Sequence, residues 1–370
     1  MTLLGFGQNM ILQPVLPLLV LSRGGDATLV GLIVAAFSLP SVLLRPVFGR
    51  LVDEWNHRRV YLAGTLALGI SSALYVIPNL AIVFGVRLFH GTAWGAFNTG
   101  GHSALARLAP PTRRGEASGV FNLMPGLAQF AGPAIGVALA TTYGLDAAFL
   151  LASALGFGAF AVVLFGPLRL PAAPVHVAPA EPGAGAFGRF LEPGAVLPMA
   201  LEFLFTSSFT LFLVYPPVFA TRAGIPLTDL TLYYPIYGGI LVAARFLLRG
   251  TMDRFARRWI VAAGSTIAIA ALLIAAAIPT LLGLTIAGAV YAIAAAFTSP
   301  TLMATAIDRS DPRRLGAAMA TYSLGFQMAL GVGAAAWGVT IDLLGYPAPY
   351  LVAAATQLLV LAVIATRWRR

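Results

Sequence analysis

Residues 45–59 read RPVFGRLVDEWNHRR, and residues 245–258 read RFLLRGTMDRFARR. Arg45 matches Arg245 and Asp53 matches Asp253, so the two stretches are near-copies 200 residues apart. The same offset relates Arg113-Arg114 to Arg313-Arg314. An offset held over two separated landmarks means that the chain is built twice. In a membrane protein, two copied halves imply a substrate site at the repeat interface and alternating access to it.

The membrane assignment follows from composition. Hydrophobic residues make up 59% of the chain and charged residues 10%, against roughly 25% charged in an ordinary soluble domain. Mean hydropathy is +0.87. Apolar runs of about 20 residues, the length that crosses a bilayer, recur from end to end. Twelve spans are expected, at 3–22, 29–49, 60–78, 80–103, 116–141, 147–167, 194–220, 229–248, 259–278, 281–303, 315–342 and 348–366. The fold expected is an all-α integral membrane protein of two pseudo-symmetric six-helix bundles, 1–167 and 194–370. They are joined by a cytoplasmic linker at 168–193, whose Pro, Ala and Gly content leaves nothing to bury.

The net charge of +10 does not point to nucleic acid, because the basic loops lack a recognisable nucleic-acid fold. With the N-terminus inside, 18 arginines fall on the cytoplasmic side and only Arg23 and Arg222 outside, a strong positive-inside bias. Both termini are thus expected in the cytoplasm, with anionic lipid headgroups as a partner of the basic face. The chain has no cysteine, which excludes disulfides and thiolate metal sites. Its basic residues are all arginine, a bias that suggests a GC-rich bacterial genome and hence the inner membrane. The first span starts almost at Met1 but lacks the basic n-region and small-residue cleavage site of a signal peptide.

Gly49-Arg50-Leu51-Val52-Asp53, followed by Arg58-Arg59, resembles the loop 2–3 motif G-x-L-x-D-x-x-G-R-R of the major facilitator superfamily. The copy from Gly250 to Arg258 resembles its weaker loop 8–9 counterpart. Two departures occur in the first copy, Glu54 where Arg is common and Asn56 near the expected Gly; Asn is the next residue able to make a left-handed turn. The resemblance implies that Asp53 docks at the start of the eleventh helix, where free amides favour a carboxylate, and that Arg58 and Arg59 bridge to acids or helix C-termini. Gly49, Asp53, Arg58, Arg59, Asp253, Arg257 and Arg258 then form a conformational latch. A plain basic inner loop is the simpler alternative.

Arg87, with Gly91 and Gly95, resembles the family's helix-four motif R-x-x-x-G-x-x-x-G, which implies a role in proton handling. Arg87 lies about 10 Å deep by helical rise, and a charge there usually faces the bundle interior. His90, three residues on, shares its face as a proton carrier or as a hydrogen-bonded interior histidine. Gly126, Gly132, Pro133 and Gly136 partly match the antiporter-associated helix-five motif, with Ala128 and Val137 in place of two glycines. That implies export; ordinary small-residue packing explains the same residues.

Few acids enter the membrane. Glu202 lies about 12 Å from the cytoplasmic side and could take up and release protons, or be salt-bridged. Asp342, near the outer end of the eleventh helix, reads better as interfacial. The ion-coupling candidates are thus Arg87, His90, Glu202 and Asp342. Arg45 and Arg245 form a symmetric pair about 7.5 Å inside their helix ends. That depth suits snorkelling, an anion clamp or a gating pair. Phe205, Phe209 and Phe212 fall on one helical face, either lipid-facing or lining a cavity. Tyr233, Tyr234 and Tyr237 fit a cavity better, because tyrosine hydroxyls need partners. Gln8, Asn9, Gln13, Asn98, Asn122, Tyr322 and Gln327 complete the expected substrate-cavity residues.

The resemblance, which covers essentially the whole chain and leans towards bacterial sugar-efflux-like and multidrug-efflux permeases, implies a secondary transporter. The expected function is export of a small amphipathic organic compound in exchange for protons, as a monomer without cofactors. The alternatives are uptake or exchange of an organic anion through Arg45 and Arg245, and a non-transporting sensor or scaffold. No Walker motif, metal-ligand cluster or nucleophile–base pair supports an enzyme.

Overall fold

A computed structural model describes residues 1–52, 57–77, 79–108, 114–166, 191–248, 250, 254–311 and 314–368, without the side chains of residues 46, 57, 106–108, 114–120, 122 and 316. Every element among them is helical. The first half contains α1 (Thr2–Ser22), α2 (Ala27–Leu43), α3 (Arg45–Leu51), α4 (His57–Leu74), α5 (Leu80–Leu108), α6 (Arg114–Thr142) and α7 (Leu145–Phe165). The second contains α8 (Pro193–Leu213), α9 (Pro216–Arg222), α10 (Leu230–Leu247), α11 (Arg257–Ala277), α12 (Leu281–Asp308), α13 (Leu315–Met328), α14 (Ala334–Leu344) and α15 (Pro347–Arg367).

Three traverses are broken for local reasons. α2 and α3 form one span: the Leu44 amide donates to the Pro40 carbonyl at 3.0 Å and the Phe48 amide to the Leu44 carbonyl at 2.9 Å. The break falls where Pro46, at the start of α3, has no amide to donate. Pro216 and Pro217 separate α8 from α9. A π-turn at Ala329–Gly333 links α13 to α14. Counted as traverses, the described helices number twelve, in the expected order. Ten are long and apolar enough to cross a bilayer. The second is divided by its break, and the third, α4, opens on His-Arg-Arg and carries Thr65, Ser71 and Ser72.

The duplication extends to the turns. Among the described residues four glycines have positive φ, and they form two pairs: Gly24 (77°) with Gly224 (66°), and Gly144 (90°) with Gly345 (83°). A side chain there would be strained, since L-residues avoid that region. Helix starts repeat as well. Asn79 accepts from the amides of Ala81 and Ile82 at 3.0 and 3.2 Å to open α5. Thr280 accepts from Gly283 at 3.1 Å to open α12, the same capping chemistry at the equivalent point of the second half.

The chain divides into two compact units, Met1–Val175 with Ala220–Pro235, and His176–Phe219 with Ile236–Arg370. Residues 168–190 of the expected linker lie outside the described residues. Within each unit, helices meet over small residues, because packing rather than apolar burial joins helices in lipid. A Cβ on Gly132 would come 2.5 Å from Met10 Cβ, and one on Gly136 would come 2.5 Å from the Ile11 carbonyl, so α6 lies directly on α1. Pro133 sits between them, buried. A Cβ on Gly64 would meet the Phe97 amide at 2.5 Å, and one on Gly264 would meet Thr298 Oγ1 at 1.8 Å. These are the same α4–α5 and α11–α12 seam in the two units. The first unit's core gathers Phe37, Tyr61, Leu68, Trp94 and Phe97, and the second's gathers Leu201, Val261, Leu302, Tyr322 and Val360.

Candidate functional site

Each unit has a polar cluster inside an otherwise apolar bundle. In the first it is built on α1, α4 and α5. Gln8 Nε2 lies 2.8 Å from His90 Nε2, Ser72 donates to Gln8 Oε1 at 3.0 Å, and the Tyr75 hydroxyl lies 3.0 Å from His90 Nδ1. All four side chains are fully buried. With the Gln8 amide donating, His90 accepts on Nε2 and carries its proton on Nδ1, towards Tyr75. This tautomer is assigned from the network. Turning the Gln8 amide over exchanges its oxygen and nitrogen and reverses its bonds to both His90 and Ser72, so the network can hold either tautomer.

Arg87, one turn before His90, is 1% exposed. Its Nε donates to the Ile33 carbonyl at 3.3 Å, its guanidinium carbon lies 4.4 Å from the Phe37 ring centroid, and its Nη1 has no hydrogen-bond partner. The Phe37 ring also meets His90 edge-on at 5.2 Å. A buried cation held by a carbonyl and an aromatic face is held firmly but left short of donors' partners. Gly91 permits this approach, since a Cβ there would come 2.1 Å from the Phe37 carbonyl.

Nearby polar residues are spread more widely. Gln13 donates to Asn9 Oδ1 at 3.0 Å, leaving Asn9 Nδ2 buried without a partner. Asn98 donates back to Trp94 at 3.1 Å. Arg45 lies within electrostatic reach of His102, whose Nδ1 faces the Asn98 carbonyl at 2.8 Å. The side chain of Asn122 lies outside the described residues.

In the second unit the cluster centres on Glu202 of α8, the one fully buried acid within a span among the described residues. Thr206 donates to its Oε1 at 2.8 Å, and its Oε2 has no hydrogen-bond partner. Tyr322 and Ser299 stand beside the carboxylate, the tyrosine donating to the Ser299 carbonyl at 2.8 Å. Tyr291, Tyr237 and Arg245 complete a chain of mutually interacting groups. Here too atoms are left over: the Tyr237 hydroxyl, Arg245 Nε and Gln327 Oε1 are buried without hydrogen-bond partners. Unpaired polar atoms are uncommon in protein interiors, and these three together with Glu202 Oε2 lie on α8, α10 and α13 of one unit.

The Phe row belongs to this interior and not to the lipid face. Phe205, Phe209 and Phe212 are 1%, 7% and 0% exposed. Phe205 and Phe212 stack on Tyr291 at 5.6 and 4.8 Å, and Phe209 lies 6.2 Å from Tyr237. Tyr233 and Tyr234 are buried and meet edge-on at 4.9 Å. Asp342 is half-buried in the last turn of α14, within electrostatic reach of Tyr215. Ser72, Tyr75, Thr206, Tyr291 and Ser299 are the members that sequence reasoning missed.

The basic hairpin ends are anchored within their own units. Arg58 donates to the Leu164 carbonyl at 2.7 Å and the Val163 carbonyl at 3.4 Å, closing the C-terminus of α7. Arg257 pairs with Asp308 at 2.6 Å, at the end of α12. Arg258 lies over the Trp259 ring at 5.2 Å. Gly49 has open space where a Cβ would be, and Arg59 is exposed. Asp53 and Asp253 lie outside the described residues, and Gly126 is half-buried.

A family model described as Major Facilitator Superfamily matches residues 1–280 and 242–370. The multidrug efflux pump Tap of Mycolicibacterium fortuitum is 28% identical over 234 residues, 60% of this chain and 52% of its own. The quinolone resistance protein NorA of Staphylococcus aureus is 26% identical over 158 residues, 42% of this chain and 40% of its own. The chain thus spans about half or less of the length of these relatives. A crystal structure of a D-xylose–proton symporter superposes with a TM-score of 0.78 at 16% identity, over 99% of this chain and 94% of that one.

Proposed function

The chain belongs to the Major Facilitator Superfamily of multi-pass membrane transporters, and from that membership we propose that it exports a small amphipathic organic compound from a bacterial cytoplasm in exchange for protons. The observation that carries this reading is Glu202. It is a fully buried carboxylate with one oxygen held by Thr206 and the other idle, among tyrosines and phenylalanines. An apolar, aromatic wall with a few convergent polar groups suits amphipathic ligands, and an intramembrane acid is a functional site by default. Names of relatives support the direction, since two of them are named for drug efflux or resistance.

In this account Glu202 carries the exchanged proton, and Tyr237, Tyr322, Phe209 and Gln327 meet the compound. The Gln8–His90–Tyr75 network with Arg87 is the counterpart in the first unit. The two basic hairpins, with Asp53 and Asp253, act as the latch that sets which side opens, both termini lying in the cytoplasm. Arg245 gives the organic-anion reading its foothold, through its unpartnered Nε, but it shares its surroundings with an acid.

The test is resistance in a drug-hypersensitive bacterial host. Expression of the chain raises the inhibitory concentration of amphipathic compounds at least fourfold, and Glu202→Gln does not. Equal protection by both chains, or protection by neither against a broad panel, contradicts the reading.

A further inference from the structure

Two crevices outside both polar clusters repeat with the duplication. The first, of 340 Å³, is lined by Phe48, Arg59, Val60 and Ala63 among others. The second, of 280 Å³, is lined by Leu248, Trp259, Ile260 and Ala263 among others. Each of these four positions has its partner 200 residues on. Both crevices lie at the arginine-rich starts of α4 and α11, beside the preceding span. Their walls are mostly apolar, and each has an arginine close by, in the lining of the first and against a lining side chain of the second. In the first it is Arg59, exposed, while its neighbour Arg58 is occupied with the carbonyls of α7. In the second it is Arg258, which is not part of the lining itself but lies over the ring of the lining Trp259 at 5.2 Å, a side chain 62% exposed.

What fills such a crevice is constrained by its surroundings. Below the rim, α4 shows an exposed apolar row through Ala63 and Ile70, and α11 shows one through Ala263 and Leu273. Exposed apolar rows on membrane spans meet acyl chains. Volumes near the bottom of the ~300–1,000 Å³ range of small-molecule sites suit one chain better than a polycyclic drug. The cation above the apolar slot asks for a negative headgroup, and a tryptophan at the rim belongs at headgroup depth.

We propose that each crevice binds one acyl chain of an anionic phospholipid of the cytoplasmic leaflet, with the phosphate held by Arg59 in the first and by Arg258 beside Trp259 in the second. The two sites are therefore alike in shape but unequal in chemistry, the first a bare guanidinium and the second a cation–aromatic pair. This binding is independent of the proton and substrate assignments above.

The full chain is reconstituted in vesicles containing brominated phosphatidylglycerol or brominated phosphatidylcholine, and quenching at Trp259 is read as the difference between the wild type and Trp259→Phe. The expected result is half-maximal quenching at about fivefold lower mole fraction of the brominated phosphatidylglycerol, the preference one basic contact gives. Arg258→Gln should remove that preference. Native mass spectrometry covers the first crevice: the wild type retains two phosphatidylglycerol molecules and Arg59→Gln retains one. Equal quenching by the two lipids, an unchanged preference in Arg258→Gln, or two retained lipids in Arg59→Gln overturns the proposal. So does quenching relieved by an amphipathic drug, which would make the crevice a substrate portal.

Discussion

Thr206 donates its hydroxyl to one carboxylate oxygen of Glu202 at 2.8 Å, and the other oxygen, equally buried, has no hydrogen-bond partner. The asymmetry separates two tasks. One oxygen fixes the rotamer, and the other is free to meet a proton or a donor on a ligand. Glu202→Gln keeps the oxygen that Thr206 uses and removes the exchangeable proton. It should bind substrate within about threefold of wild type and lose at least tenfold in transport driven by a pH gradient. Scintillation proximity binding and vesicle uptake check the two halves of that statement.

His90 joins Gln8 of α1 to Tyr75, just past the end of α4, at 2.8 and 3.0 Å. His90→Phe fills the space but takes the ring nitrogens away from Gln8 Nε2 and the Tyr75 hydroxyl in a dry interior. Leaving buried polar groups unpaired costs ~1–3 kcal/mol. Thermal unfolding in detergent should show the loss, and an unchanged midpoint would mean that the network is not formed.

Gly91 and Gly85 lie on the same helix with opposite expectations. A Cβ on Gly91 would come 2.1 Å from the Phe37 carbonyl, whereas one on Gly85 meets nothing within 4 Å. Gly91→Ala should push α5 off α2 and cost ~1–3 kcal/mol as overpacking. Gly85→Ala should be neutral or stabilising by up to ~1 kcal/mol, the helix preference for alanine. Paired unfolding curves decide between these.

Two ion pairs among the described residues should differ in worth. Arg257 and Asp308 are 36% and 52% exposed at 2.6 Å, so Asp308→Asn should cost ~0–1 kcal/mol, and less at high salt. Glu192 is 7% exposed where it meets Arg314 at 2.9 Å, and its amide donates to Thr321 at 2.9 Å. Glu192→Gln should cost more, about 1–3 kcal/mol, because the acid of this ion pair is out of solvent, and resist added salt. Thermal melts with and without 0.5 M salt compare them.

Most of the fold could be read from apolar run lengths and from the 200-residue offset, because bilayer thickness fixes span length and duplication copies charge motifs. The paired turn glycines Gly24/Gly224 and Gly144/Gly345 carry the same offset to within one residue, but a lone glycine between apolar runs has no identity until its φ is known. Inside the bundles, charge was the readable signal. Arg87, His90 and Glu202 stood out because apolar helices rarely carry them. Ser72, Tyr75, Thr206 and Ser299 did not, since hydroxyl residues in membrane helices usually bond back to their own carbonyls, and sequence spacing does not distinguish those that reach across. The Phe row of α8 had the right period for a lipid face, and only its stacking on Tyr291 shows that it points inward.

The most direct test of proton-coupled export uses purified protein in liposomes with a pH-sensitive dye inside and an amphipathic substrate from the resistance panel outside. The account predicts that adding substrate moves the internal pH in wild-type vesicles, with the opposite sign when the substrate gradient is reversed, and that Glu202→Gln vesicles show no change. Substrate flux with no pH change in the wild type, or the same pH change in Glu202→Gln, would contradict it.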